Sequence, residues 1–219
     1  MKSIIVLSGA DGSGKSTIAK CVSSELSLNG VKNIVVWGAL RPVILKPFIL
    51  FFKRIIVKDV DKNIDYSKFT TVKSKNAKIM RRLSLPYLFV VFLDFYPQYF
   101  FKVRLPLLFG YTVICDRYYQ DVIINYLVNL NNFDSKALKS LLSLGESFFA
   151  HSIFKYYIYV APEVAFERKE DILSIDYLIE RNKMYDLLPK VGGYTLVDGE
   201  IDAKSVSKQI NQDFYEKNK

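Results

Sequence analysis

The stretch Gly9-Ala10-Asp11-Gly12-Ser13-Gly14-Lys15-Ser16-Thr17 places a Lys and two hydroxyl residues directly after a glycine-rich turn. It matches G-x-x-x-x-G-K-[ST], whose glycines let backbone amides converge on an anion while the next helix adds partial positive charge at its N-terminus. Lys15 is spaced to bridge the β- and γ-phosphates of a nucleotide, and the Ser16 hydroxyl to take one place on Mg²⁺. An ordinary glycine turn with a solvated Lys would not need an apolar run before it and a helix after it. Residues 9–17 are therefore read as a nucleoside triphosphate site.

Gly110-Tyr-Thr-Val-Ile-Cys-Asp116-Arg117-Tyr118-Tyr119 is the second candidate. A carboxylate at the C-terminal end of a buried parallel strand lies on the ligand edge of the sheet. Asp116 is thus a metal-organising candidate with Ser16, and the planar fork of Arg117 suits a phosphate. The competing account is an Asp–Arg pair that merely starts the next helix. Further on, Ala161-Pro162-Glu163-Val-Ala-Phe-Glu-Arg168-Lys169 begins a helix at Pro162. It carries Arg168 and Lys169 into a lid position, approximately 162–185, where cations could neutralise phosphate charge. Interleaved Glu167, Glu170 and Asp171 support a plain solvated face equally well.

Something must hold these groups in place. Ser3–Ser8, Asn33–Trp37, Thr112–Cys115, Tyr156–Val160 and Tyr194–Val197 read as short strands buried between helices. Lys15–Leu28 and Ala203–Tyr215 read as helices, the first stopped by Asn29-Gly30, and residues 73–82 as a basic helix. Alternation of this kind predicts an α/β fold with a parallel sheet and helices on both faces. The 219 residues suit one domain, 1–219, with no linker or repeat. Leu85–Phe101 is the most apolar segment, but Pro86, Asp94, Pro97 and Gln98 interrupt it, so it is read as a core-facing helix. Two cysteines, Cys21 and Cys115, point to a reduced, cytoplasmic setting.

Charge is unevenly distributed. Residues 41–82 hold twelve Lys/Arg and three Asp, whereas the rest balances 19 basic against 19 acidic residues. A local excess of one sign implies an anionic partner, such as a phosphorylated substrate, a membrane surface or nucleic acid. Nucleic acid is disfavoured, because no recognised binding motif accompanies the charge.

The three constellations, in this order, resemble the thymidylate kinase family of P-loop nucleoside monophosphate kinases. Gly9-Ala-Asp11-Gly12 is similar to its phosphate loop, Asp116-Arg117-Tyr118 to its Asp-Arg-Tyr strand end, and Pro162-Glu-Val-Ala…Arg168 to the start of its lid. Leu196-Val-Asp198-Gly-Glu200-Ile201 is similar to its loop beside adenine. The resemblance implies a P-loop three-layer α/β/α fold with a five-stranded parallel sheet in the order 2-3-1-4-5, Mg²⁺ and ATP as donor, and homodimers. It also implies that Arg117 holds an acceptor phosphate, Asp11 contacts an acceptor sugar hydroxyl, and Asp198, Glu200 and Ile201 border adenine. Arg41 keeps the Arg-Pro of the loop after the second strand, without that loop's acid and glycines. Asp121 stands where the family has Ser, and Ile124-Asn125-Tyr126 where it has Ala-Tyr-Gln.

The expected activity is phosphoryl transfer from ATP to a small acceptor, a dTMP-like nucleoside monophosphate first of all. Lys15, Asp116, Arg117 and Arg168 are the expected catalytic residues, and Asp11, Arg41, Arg117 and Asp121 the expected acceptor contacts. The alternatives are a sugar or sugar-phosphate acceptor linked to surface polysaccharide, and a non-catalytic ATP-binding switch. Aromatic residues between Tyr87 and Tyr126 are expected to provide stacking for a base.

Overall fold

The computed structural model describes residues 3–38, 77–149, 154–169, 172 and 174–218. Arg41 and most of the basic 41–82 segment lie outside the described residues. Five strands, β1 (Ile4–Ser8), β2 (Asn33–Trp37), β3 (Thr112–Asp116), β4 (Phe154–Tyr159) and β5 (Thr195–Asp198), form one sheet. All pairings are parallel and the order is β2-β3-β1-β4-β5, as the resemblance implied. β1 is central and wholly buried, which its uninterrupted apolar run requires.

Side chains alternate across β1 into two cores. Ile5 and Leu7 meet Ile18, Val22 and Leu26 of α1 (Lys15–Leu28), together with Val206, Ile210 and Phe214. Ile4 and Val6 face the opposite layer. That layer contains α2 (Ala77–Tyr99), which runs through a π-helical turn at Phe100–Arg104 into the short α3 (Leu105–Leu108). It also contains α4 (Tyr119–Asn129), α5 (Ser135–Phe148) and α7 (Ile175–Tyr185). In sequence α6 (Pro162–Glu167) lies between α5 and α7, α8 (Leu188–Val191) follows α7, and α9 (Ala203–Lys217) packs against α1.

Strand β4 begins at Phe154, two residues ahead of the apolar run seen in the sequence. Lys155 hid that start, because its ammonium is neutralised by Glu146 Oε1 at 2.9 Å on the helix-covered face. α2 contains Pro86 and Pro97 and buries Leu88, Val91, Phe92 and Phe95. Its core-facing reading therefore holds. No helix of the described residues is long and apolar enough to cross a membrane.

The aromatics expected to stack on a ligand mostly stack on one another. Phe92, Phe95, Tyr99, Tyr118 and Tyr119 all pack around Phe149 at ring-centroid distances of 5.2–6.1 Å. All six are buried. The physical reason is that α5 ends in Phe148-Phe149, which fills the space between α2 and the start of α4.

Candidate functional site

The residues from Gly9 to Gly14 leave β1 and turn sharply into α1. Gly12 has φ of 82°, and a Cβ there would lie 2.3 Å from the Ala165 carbonyl oxygen on α6, so only glycine lets the loop and α6 approach this closely. At the loop's end Lys15 folds back, donating to the Ala10 carbonyl and to Ser13 Oγ at 2.8 Å. Burial pushes its ammonium down to about 7, and the Arg117 charge pushes the same way.

Register brings the second group to this loop. Leu7 of β1 lies level with Asp116 of β3, and Ser16 Oγ donates to Asp116 Oδ2. Two hard oxygen ligands in contact at the C-terminal edge of the sheet fit Mg²⁺, which keeps several waters and takes the remaining oxygens from phosphate. No group of three or more His, Cys, Asp or Glu side chains among the described residues forms a full protein cage.

Arg117 follows with φ of 71°, a left-handed conformation that turns its side chain back over the phosphate loop. Its Nη2 donates to Asp11 Oδ1 at 2.6 Å, and its Nη1 to Asp121 Oδ1 at 2.9 Å. Nη1 also reaches the Gly9 carbonyl and the Tyr185 hydroxyl, each at 3.3 Å. Burial alone would lower the guanidinium pKa, but Tyr185, Asp121, Asp11 and Asp116 together raise it, so it stays cationic. The backbone carbonyl of Arg117 explains Gly38, which the sequence reading passed over: a Cβ on Gly38 would sit 2.1 Å from that oxygen.

Asp121 is buried and fully engaged. Oδ1 accepts from Arg117 and, at 2.5 Å, from the Tyr185 hydroxyl; Oδ2 accepts from Ser8 Oγ at 3.1 Å and the Tyr118 amide at 3.3 Å. Tyr185 was not singled out by sequence, and only its place two turns after Tyr177 on an amphipathic helix hinted at it. Asp11 differs from Asp121 in being partly exposed. Burial raises its pKa, but Arg117, Lys15, Lys169 and Arg181 outweigh that and hold it below the ordinary carboxylate value. Its Oδ2 also accepts from the Tyr177 hydroxyl at 3.4 Å, and Lys169 Nζ stands 3.9 Å from Oδ1. The Arg181 guanidinium lies 3.4 Å over the Tyr177 ring, closing this side of the site.

Arg168 points elsewhere. Its Nη1 donates to the Gly199 carbonyl at 2.8 Å and its Nη2 to the Glu200 carbonyl at 3.4 Å. Glu200 Oε1 in turn accepts from the Ala161 amide at 2.9 Å, and Asp198 Oδ1 from the Glu200 amide at 2.8 Å. These bonds tie the two ends of α6 to the loop after β5, where Asp198, Glu200 and Ile201 are exposed. Of the expected site residues, Asp11, Lys15, Ser16, Asp116, Arg117 and Asp121 come together around the phosphate loop. Arg168, Asp198, Glu200 and Ile201 form a second group beside it.

The glycine-rich loop after β1, the carboxylate at the end of β3 and the strand order 2-3-1-4-5 match the P-loop NTPase kinase fold. Among solved structures, the chain is similar to deoxyadenosine kinase from M. mycoides with bound dATP. That likeness has a TM-score of 0.55 and 18% identity and covers 99% of this chain and 100% of that one. No family model matches the chain, and no curated protein matches it.

Proposed function

We propose that this chain is a Mg²⁺- and ATP-dependent kinase that phosphorylates a hydroxyl of a small nucleoside-type acceptor. The observation that carries the acceptor class is the setting of Arg117, whose two Nη atoms are each held by a carboxylate, Asp11 and Asp121. Such a guanidinium has little charge left to offer a second phosphate, whereas the partly exposed Asp11 can accept a sugar hydroxyl. Arg117 then positions Asp11 toward the acceptor. A nucleoside acceptor also accords with what the similar solved enzyme is named for.

Catalysis is placement and charge neutralisation. Lys15, drawn down by burial, takes up a proton as the triphosphate arrives and bridges its outer phosphates. Ser16 and Asp116 would hold Mg²⁺, which neutralises charge developing on the transferred group. Of the described carboxylates around Arg117, Asp116 is also the one suited to receive the acceptor proton, since Asp121 is saturated and Asp11 is held at a low pKa. Arg168 shapes the loop at Asp198–Ile201 for adenine, and Lys169 and Arg181 are the lid cations nearest the acceptor side.

A dTMP-like acceptor, as the thymidylate-kinase-like order of motifs suggests, requires Arg117 to exchange Asp11 for the acceptor phosphate. The outward stripe Phe89, Leu93 and Tyr96 of α2, continued by Phe100 in the π-helical turn, supports a homodimer, because four large apolar residues at helical spacing are left partly in solvent. Initial rates of ADP release with deoxynucleosides, dTMP and sugar phosphates test the proposal. Turnover with deoxynucleosides but not dTMP supports the hydroxyl reading, and the reverse overturns it. ATP binding without turnover on any acceptor points to the switch.

A further inference from the structure

The helical run from Phe100 to Leu108 and the turn after it show an apolar face to solvent. Val103 is buried and Leu107 packs on the core, so the opposite side carries Phe101 and Leu108, 66% and 61% exposed. Phe109, 71% exposed, continues that face into the turn. Lys102 and Arg104, both exposed, flank Val103. No Asp or Glu occurs in residues 95–115. Three large apolar side chains in one short run exceed the scattered exposure that is ordinary on a protein surface.

The sheet sets where this face lies. The Thr112 amide donates to the Lys32 carbonyl at 2.8 Å, so the turns leading into β3 and β2 meet at the edge where both strands begin. The turn before β2 adds Leu28, 87% exposed, and the exposed Lys32. The phosphate loop and Asp116 stand at the opposite edge, where β1 and β3 end. A partner seated on Phe101 and Phe109 therefore leaves the nucleotide site open.

We propose that this edge docks on an anionic lipid bilayer, with Phe101, Leu108 and Phe109 at the boundary of headgroups and acyl chains. Lys102, Arg104 and Lys32 then meet the lipid phosphates. Outward apolar side chains with cations beside them are the arrangement of segments that lie in a membrane interface without crossing it. The long stems of Lys and Arg let their charges stay with the headgroups while the rings go deeper. A second copy is a poorer occupant. The same face on itself brings these cations against their counterparts, with no acid in residues 95–115 to pair them. The excess of 31 basic over 22 acidic residues in the chain draws it to the same kind of surface. The proposal uses no residue of the nucleotide site and is independent of the kinase reading.

Co-sedimentation of the full chain with vesicles of phosphatidylcholine, alone or mixed with phosphatidylglycerol, tests it. The mixed vesicles should retain the protein at low salt and release most of it at high salt. Phe101→Ser combined with Phe109→Ser should weaken retention at least about tenfold, with ATP binding and the thermal midpoint unchanged. Depth is read by fluorescence. Trp37, the only tryptophan, ends β2, about 13 Å along the strand from Asn33. Vesicles with brominated acyl chains should therefore quench the Phe109→Trp variant strongly and the unaltered protein little. Equal retention by both kinds of vesicle, retention untouched by the double Ser variant, or no acyl-chain quenching at position 109 would overturn the proposal. So would duplex DNA held by these same residues, which would assign the face to nucleic acid.

Discussion

Lys15 sits almost sealed from solvent beside Arg117, and this governs how it behaves before nucleotide arrives. With its pKa drawn down to about 7, it is largely neutral at pH 8 and largely charged at pH 6. A triphosphate restores the charged form, so ATP binding should take up a proton at pH 8 and much less of one at pH 6. Calorimetry in buffers of different ionisation enthalpy reads that uptake directly. Lys15→Ala should remove about 3–4 kcal/mol of transition-state stabilisation, a fall of roughly 10²–10³ in kcat/KM with the fold intact. Arg117→Lys should be nearly as damaging despite keeping the charge. An ammonium cannot hold Asp11 and Asp121 at once, and the loss should appear in acceptor KM and kcat with ATP affinity little changed.

At the scale of elements, the site depends on how closely α6 packs on the phosphate loop. Gly12→Ala places a methyl group 2.3 Å from the Ala165 carbonyl while asking Ala to adopt φ of 82°. The loop and α6 must separate, so ATP affinity should fall at least about tenfold in a direct nucleotide titration, while circular dichroism shows the helices retained. Arg168 offers the complementary test on the far end of α6. Since it bonds the carbonyls of Gly199 and Glu200, Arg168→Ala should raise KM for ATP more than it lowers kcat. A dominant kcat loss would instead return Arg168 to the phosphates. The π-helical turn at Phe100–Arg104 follows Pro97, which removes a backbone donor from α2 and loosens the ladder just before that turn.

The molecule as a whole has two cores of different character. One, between the sheet and α1/α9, is aliphatic with few rings; the other is dominated by Tyr and Phe around Phe149. Phe92→Ala, a buried ring in that aromatic cluster, should cost about 3–5 kcal/mol of stability, visible in a denaturant midpoint. The outer stripe of α2 should respond in the opposite sense. Leu93→Asp leaves the monomer's core untouched, so its midpoint should hardly move, but light scattering should show smaller particles if the stripe joins two copies.

The sequence by itself determined the phosphate loop, the parallel α/β alternation and the importance of Asp116-Arg117, because each is a local pattern. A glycine spacing, an uninterrupted apolar run and a carboxylate at its end are all written along the chain. The strand order came from resemblance, since no local pattern orders parallel strands, and the pairings bear it out. Only the tertiary structure decided what Arg117 touches. Asp11, Asp121 and Tyr185 lie 106, 4 and 68 positions from it, and all converge on one guanidinium because the loop after β1 and the helices α4 and α7 of one layer meet where β3 ends. The same holds for the aromatics, whose types promise stacking while only their packing tells what they stack on. Burial decided Lys15 as well: charge is read from a letter, but the desolvation that lowers its pKa belongs to the fold around it.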